Sequence, residues 1–415
     1  MSRAKDGDKL DRRELFRRGA LASLSAGLLT LIGRNPAQAQ EPASGTVKRY
    51  VPLGRTGFKI SDISFGGSRL GAGEEDLVRD ALDRGVNYFD TADSYSGGDS
   101  EITIGNVLKG QRDKVFIASK AHTTATQPRR ALMGHLEESL RRLQTDYVDI
   151  YFNHAVNNIE RLKNPEWYEF VDDAKKQGKI RASGMSGHAG YLIECLDYAL
   201  DRDAADVILV AYNFGQDPKF FERFTRSFDS IARQPDLPRV LKKAKAKNVG
   251  VVAMKTLRGA RLNDMRPFEK GGATYSQAAF RWVLSNPDVD ALIISMVDQK
   301  LTSEYLGASG WTTAARGDLD LLEGYARMTN MSYCRHACND CEGACPYGVP
   351  IADVLRTRMY AVDYEDERLA RDEYAQLGTG AAACLTCPTQ ACAGSCTYGL
   401  PVEKLLAPTH RRLTG

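Results

Sequence analysis

Four side chains capable of acid–base chemistry stand at or just beyond the ends of short apolar runs. Asp90 closes NYFD, Tyr95 follows in the same loop, Lys120 closes VFIASK and His154 closes VDIYFNH. A lysine placed beside a carboxylate and a phenol forms a physical unit. The ammonium favours tyrosinate and so is expected to lower the Tyr95 pKa, while the carboxylate keeps the ammonium charged and in place. Such a tyrosine can donate a proton at neutral pH, and a nearby histidine can orient or polarise a carbonyl oxygen. Taken singly, each residue also has an ordinary structural reading, a cap or turn for the aspartate and packing for the tyrosine and histidine.

The runs that carry these residues belong to a longer series. ISFGG at Ile63, NYFDTA at Asn87, VFIASK at Val115, VDIYFNH at Val148, IRASGMS at Ile180, DVILVAYN at Asp206, VGVVAMK at Val249 and DALIISM at Asp290 read as strands. Amphipathic stretches lie between them, among them Glu75 to Asp83, Ala131 to Leu143, Glu166 to Gln177, Tyr191 to Asp201, Pro238 to Lys247 and Tyr275 to Ser285. Eight strands at roughly thirty-residue spacing predict an α/β chain folded as a (β/α)8 TIM barrel, whose chemistry sits where strands end and βα loops begin. A doubly wound sheet is the rival, but it would need a GxGxxG turn after the first strand, which this chain lacks. The opening RYVPLGRTGFKIS reads as a hairpin turning at Gly54 to Gly57, placed to close the bottom of the barrel.

On these residues the chain resembles the aldo-keto reductase family. GRTGFKIS, NYFDTADSY, IASK and YFNH carry the likeness, which runs from Tyr50 to about Leu306. The resemblance implies that Asp90, Tyr95, Lys120 and His154 are a catalytic tetrad with Tyr95 as proton donor, interconverting a carbonyl and an alcohol with NAD or NADP. It also implies cofactor contacts: Ser186 on the carboxamide, Tyr212 stacked on the nicotinamide, Met254, Lys255, Leu257 and Gly259 around the pyrophosphate, and Asp298 near the adenosine ribose. Two departures stand out, Gly187 where Asn is common and Leu209 where Gln is common. Asp298 and Gln299, with only Lys300 basic, suit a ribose hydroxyl better than a 2′-phosphate and so favour NAD.

Eight of the nine cysteines fall between Cys334 and Cys396. They form Cys334-x3-Cys338-x2-Cys341-x3-Cys345-Pro346 and Cys384-x2-Cys387-x4-Cys392-x3-Cys396, each followed closely by YGVPI or YGLPV. The runs resemble a duplicated ferredoxin-type module for two 4Fe-4S clusters, in which three cysteines of one run hold a cluster and the fourth reaches the other. The x3 and x4 spacings, and Thr397 in place of proline, depart from that pattern. Structural zinc and disulfides remain competing readings. No C-x2-C-H sequence for covalent haem occurs, and Cys195 reads as a small core residue.

Residues 1–40 carry eight Lys or Arg against four Asp or Glu, then the uncharged stretch GALASLSAGLLTLIG and Ala37-Gln-Ala39. With Arg12-Arg13 they read as a twin-arginine export signal, too short in its apolar part to span a membrane, and predict a periplasmic location after cleavage. The remainder then carries a net charge of −1 from the whole chain's +3, which gives no electrostatic case for a nucleic acid partner. The expected organisation is therefore a signal at 1–40, a barrel at 48–325 and an iron–sulfur module at 331–405. The expected substrate is a small carbonyl or alcohol, sugar-like if a tightly held dinucleotide is recycled outside the cytoplasm, with a redox partner if the clusters conduct. Two other functions stay open at this point: an electron-transfer subunit using the barrel as scaffold, and a nucleotide-gated interaction module, for which the sequence offers no positive feature.

Overall fold

The computed structural model describes Gly45 to Gly415, apart from residues 189, 223–233, 258–264, 270–271, 330–333, 335–337 and 363–364. The export signal read at 1–40 lies outside the described residues. Two short strands, β1 (Tyr50–Pro52) and β2 (Lys59–Ser61), pair antiparallel. The barrel strands follow: β3 (Ile63–Gly66), β4 (Tyr88–Asp90), β5 (Phe116–Ala121), β6 (Val148–Asn153), β7 (Ile180–Gly187), β8 (Val207–Ala211), β9 (Gly250–Met254) and β10 (Ala291–Ser295). All eight are parallel, and β10 pairs with β3 to close the ring.

Alternation along each strand sorts the side chains into two layers. Tyr88, Ala118, Ile150, Phe152, Ala182, Val207, Leu209, Val252, Ala291 and Ile293 fill the barrel interior. Their neighbours Phe89, Ile117, Tyr151, Ile208 and Val210 face outward against the helices. Those helices are α1 (Glu75–Asp83), α2 (Asp99–Leu108), α3 (Arg129–Leu143), α4 (Ile159–Lys163), α5 (Pro165–Lys176), α6 (Leu192–Asp201), α7 (Pro218–Glu222), α8 (Leu237–Ala246), α9 (Tyr275–Leu284) and α10 (Gln299–Leu306).

The hairpin plugs the lower end of the barrel, as its position in the sequence predicts. Val51, Leu53, Phe58 and Ile60 join the interior cluster, and the Arg55 N–H donates to the Asn248 carbonyl at 2.7 Å. Gly54 turns at φ +47°, where an added Cβ would lie 2.2 Å from the Gly250 nitrogen, so the close approach requires glycine.

After α11 (Arg316–Thr329) come three further helices, α12 (Ile351–Val362), α13 (Glu367–Ala375) and α14 (Val402–Thr414), with a core of their own that includes Ile351, Val354, Leu355, Met359, Ala370 and Leu406. The boundary expected at residue 405 falls inside α14, because Leu406 and Leu413 complete that core. No helix among the described residues is long and apolar enough to cross a membrane.

Ile150 is fully buried in the barrel interior. Its replacement in Ile150→Ala removes three methyl or methylene groups from a closely packed layer. The expected loss is about 2–5 kcal/mol, read as a lower urea midpoint at unchanged slope.

Candidate active site

The same alternation that fills the barrel carries polar side chains to its mouth. Asp90 continues the inward face of Tyr88, Lys120 that of Ala118, and His154 that of Ile150 and Phe152. Lys120 Nζ donates to Asp90 Oδ1 at 2.6 Å and to the Thr91 carbonyl at 2.6 Å, and it reaches the Tyr95 hydroxyl at 3.3 Å. Lys120 and Asp90 are each only 1% exposed. The ammonium also lies 4.5 Å from the centre of the Tyr95 ring, whose edge meets His154 at 5.5 Å between centroids.

Burial pushes the Asp90 carboxyl up and the Lys120 ammonium down, and each opposes the other's shift through its own charge. At 2.6 Å each charge offsets part of the other's desolvation. Tyr95 departs from the sequence expectation. Burial first, then Asp90, Glu373, Tyr360 and Asp93, hold its pKa well above the usual phenol value. One ammonium, already paired with Asp90, does not overcome desolvation and this ring of acids. The phenol therefore rests protonated.

His154 is held well below its ordinary pKa by burial and by the neighbouring cations and imidazoles, so it is a neutral ring. Its carbonyl accepts from Arg161 at 2.7 Å, and the next N–H, of Ala155 at φ +49°, donates to Ser186 Oγ at 2.9 Å. This ties the mouths of β6 and β7 together.

A cavity opens above these residues. Asp90, Tyr95, Lys120, His154, Ser186, Met254, Lys255 and Leu257, all named from the sequence, line it. Ser186 is buried and keeps a hydroxyl proton free to donate while its oxygen accepts from Ala155. With the apolar wall of Met254, Leu257, Ile293 and Ile294, this donor suits a planar amide-bearing ring, and Lys255 adds a cation for an anionic group.

Two expected cofactor contacts, Tyr212 and Asp298, do not line the cavity. Tyr212 follows the outward parity of Ile208 and Val210. Its ring packs on Trp282 at 5.2 Å, and its hydroxyl is engaged by Asn286 at 2.9 Å and Asp217 at 3.3 Å, so the stacking role is corrected to a core role. Asp298 is an exposed N-cap that accepts from the Leu301 N–H at 2.7 Å. Gly259 lies outside the described residues.

Other residues near the site were missed from the sequence. The His122 ring lies tilted against His154 at 4.2 Å between centroids, and its position two residues after Lys120 on the same strand parity was the available signal. Tyr360, Leu369 and Glu373 reach the cavity from α12 and α13. Lys255 Nζ bonds to the Tyr360 hydroxyl, and burial brings the Lys255 pKa down to about 8. Arg69 pairs with Asp366 at 2.6 Å and fastens the C-terminal helices to the loop after β3. No sequence signal places these contacts.

None of the nine cysteines is joined in a disulfide. Cys334, Cys338, Cys341 and Cys396 line one small cavity with Leu355, Tyr398 and Leu400. The other four form a second group, in which burial and then the neighbouring Cys345, Cys392 and Cys387 push the Cys384 thiol up to about 11. Three cysteines of one run thus join one of the other run in each group. Cys195 is buried in the barrel's outer core, as expected.

A closed parallel eight-stranded barrel with its polar cluster at the carboxyl ends of the strands is the architecture of a barrel enzyme. The Aldo/keto reductase family model matches residues 62–270, and the chain belongs to that family. It is 26% identical to an L-galactose dehydrogenase of Arabidopsis thaliana over 299 residues, covering 62% of this chain and 86% of that protein. It is 32% identical to the aldo-keto reductase YhdN of Bacillus subtilis, covering 36% of this chain and 49% of the relative. A 6-dehydroglucose reductase of Novosphingobium aromaticivorans is 31% identical, with coverage of 37% and 56%. The chain thus spans about half the length of these two relatives. Among solved structures, an aldo-keto reductase of Bacillus halodurans in its holo form superposes with a TM-score of 0.51 at 22% identity, covering 66% of this chain and 95% of that one. One from Brucella melitensis superposes with a TM-score of 0.51 at 19% identity, covering 66% and 99%. These two likenesses are of fold.

His122 supplies a pH test. Burial, with Arg161, lowers its pKa from 6.5 to about 4, so between those values the unfolded chain binds the proton more readily and the fold loses stability as pH falls. His122→Gln should lose less stability across that window than the wild type, measured by chemical denaturation at each end of it.

Proposed function

We propose that this chain is a nicotinamide-dependent reductase that interconverts a small carbonyl compound and its alcohol. The observation that carries the reading is the buried chain Asp90–Lys120–Tyr95, with neutral His154 edge-on to the phenol. Ser186, Met254, Lys255 and Leu257 would hold the cofactor. When bound, the nicotinamide supplies the hydride that the carbonyl carbon receives. His154, uncharged and fixed through its backbone, orients the carbonyl oxygen. Tyr95 passes its phenolic proton to that oxygen, so the C=O π bond is replaced by one C–H and one O–H bond. Lys120 stabilises the phenolate left behind, and Asp90 keeps that ammonium in place. The reverse sequence oxidises the alcohol.

The relatives named for L-galactose and 6-dehydroglucose support a sugar-like substrate. NAD is favoured over NADP, because Asp298 caps the helix that supplies Tyr305 to the cavity wall and an acid there repels a 2′-phosphate. For the thiols we propose two 4Fe-4S clusters, one on Cys334, Cys338, Cys341 and Cys396 and one on Cys345, Cys384, Cys387 and Cys392. The exchange of one cysteine between runs, seen in the two groups, supports this reading over two zinc sites each built from a single run. The clusters brace the helices that bear Tyr360 and Glu373. Arg12-Arg13 and the apolar stretch after it support export of the folded protein to the periplasm.

Tyr95→Phe removes the proton donor with little change in shape. Turnover should fall about 10²- to 10⁴-fold while the fold and iron content persist; full turnover in this variant would refute the tetrad. Cys341→Ser should lose about half of the iron of anaerobically purified protein. Zinc in place of iron, or intact disulfides on thiol titration, would overturn the cluster assignment.

A further inference from the structure

The cavity holds one acidic side chain that the tetrad chemistry does not use. Glu373 comes from α13, in the C-terminal helices, and lines the cavity with Tyr95 and Lys120. Among the described residues it forms no hydrogen bond and no ion pair. One of its carboxylate oxygens, a ring nitrogen of His122 and a ring nitrogen of His154 all lie within 4.8 Å of one another. His122 Nε2 and His154 Nδ1 are buried without a hydrogen-bond partner. Three polar groups with unused capacity therefore converge beside the place where the carbonyl oxygen must sit, and buried polar atoms of this kind call for a partner.

The chemistry of the set narrows what that partner is. A neutral imidazole offers one donor and one acceptor nitrogen, and a carboxylate only accepts. A hydroxyl can donate to the carboxylate and accept from an imidazole at once. Two imidazoles and a carboxylate also suit a divalent metal. Here, however, Lys120 and Lys255 act on Glu373, and Arg161 and Lys120 act on His122. Asp372, Asp353 and Asp93 oppose them, but the strongest charge on each group is a cation, Lys255 on Glu373 and Arg161 on His122, which favours a neutral hydroxyl over a dication.

We propose that Glu373, with His122, is a specificity-determining pair that reads a hydroxyl on the carbon next to the reacting carbonyl, so that the enzyme selects α-hydroxy carbonyl compounds. The inference rests on the carbonyl-reduction reading. With the carbonyl oxygen held between Tyr95 and His154, the oxygen on the adjacent carbon lies about one hydrogen-bond length away, about 2.8 Å. A Glu373 carboxylate oxygen and a His122 ring nitrogen each lie within 4.8 Å of a His154 ring nitrogen, so an oxygen on that adjacent carbon would meet this group of atoms. The residue that sets substrate choice then belongs to the cysteine-bearing helices and not to the barrel.

The test uses the full holoenzyme with glyceraldehyde and with propanal, which has the same carbon chain and no hydroxyl, each with NADH. The wild type should favour glyceraldehyde. Glu373→Gln, at matched iron content, should raise KM for glyceraldehyde about ten- to a hundredfold with little change in kcat, the size expected for a lost hydrogen bond to a charged group. KM for propanal should stay unchanged, and Glu373→Asp should recover part of the preference. Equilibrium binding of the products glycerol and propan-1-ol reads the same contact without turnover. Equal discrimination in wild type and Glu373→Gln, by kinetics or by product binding, overturns the proposal, as does a preference that a chelator removes and zinc restores. Full turnover in Tyr95→Phe instead defeats the carbonyl-reduction reading alone, since product binding still reports on Glu373.

Discussion

The buried ion pair between Lys120 and Asp90 is the constraint around which the site is arranged. Removing an ammonium and a carboxylate from water costs several kcal/mol per ion before any return. The pair persists because Lys120 finds three oxygens, on Asp90, Thr91 and Tyr95, within 3.3 Å. Those oxygens come from the end of β4 and the loop after it, so the pair also fixes that loop against β5. Tyr95 is thereby aimed at the spot that His154 faces from β6.

The C-terminal helices complete what the barrel begins. Arg69 with Asp366, Lys255 with Tyr360, and Arg368 with the Arg69 carbonyl fasten them over the mouth. Helix α12 joins two chemistries: Leu355 lines the cavity of four cysteines and Tyr360 lines the active-site cavity. Five residues of helix separate them, a rise of about 7.5 Å. Arg356, buried between them, pairs with Asp353 at 2.6 Å and donates to the Cys338 carbonyl at 3.4 Å. Whatever orders the thiols therefore also orders one wall of the active site.

Much of this arrangement is legible in the sequence, and the failures have physical causes. The eight apolar runs are the eight strands because a sheet buried on both faces demands continuous apolar residues. The cluster of Asp90, Tyr95, Lys120 and His154 is legible because each member ends or closely follows such a run. Strand parity was also available, and it separates Tyr212, facing outward after Ile208 and Val210, from Ser186, facing inward after Ala182 and Gly184. Asp298 precedes a helix in the manner of an N-cap, which the structure shows. The direction of the Tyr95 shift was not legible, because residue types give the neighbours of a group but not the depth of its burial. Glu373 and Tyr360 were beyond reach for a related reason. Their place over the barrel is set by docking of a separately cored helical unit, to which no sequence period points.

Desolvation outweighs the Lys120 ammonium and keeps Tyr95 protonated at rest, as the proposed proton donation requires. Labelling tyrosine at Cζ and following the Tyr95 carbon resonance with pH measures this directly, with Tyr95→Phe to assign the signal. The phenol should stay neutral beyond the ordinary ionisation at pH 10.0. Ionisation below that value would contradict it.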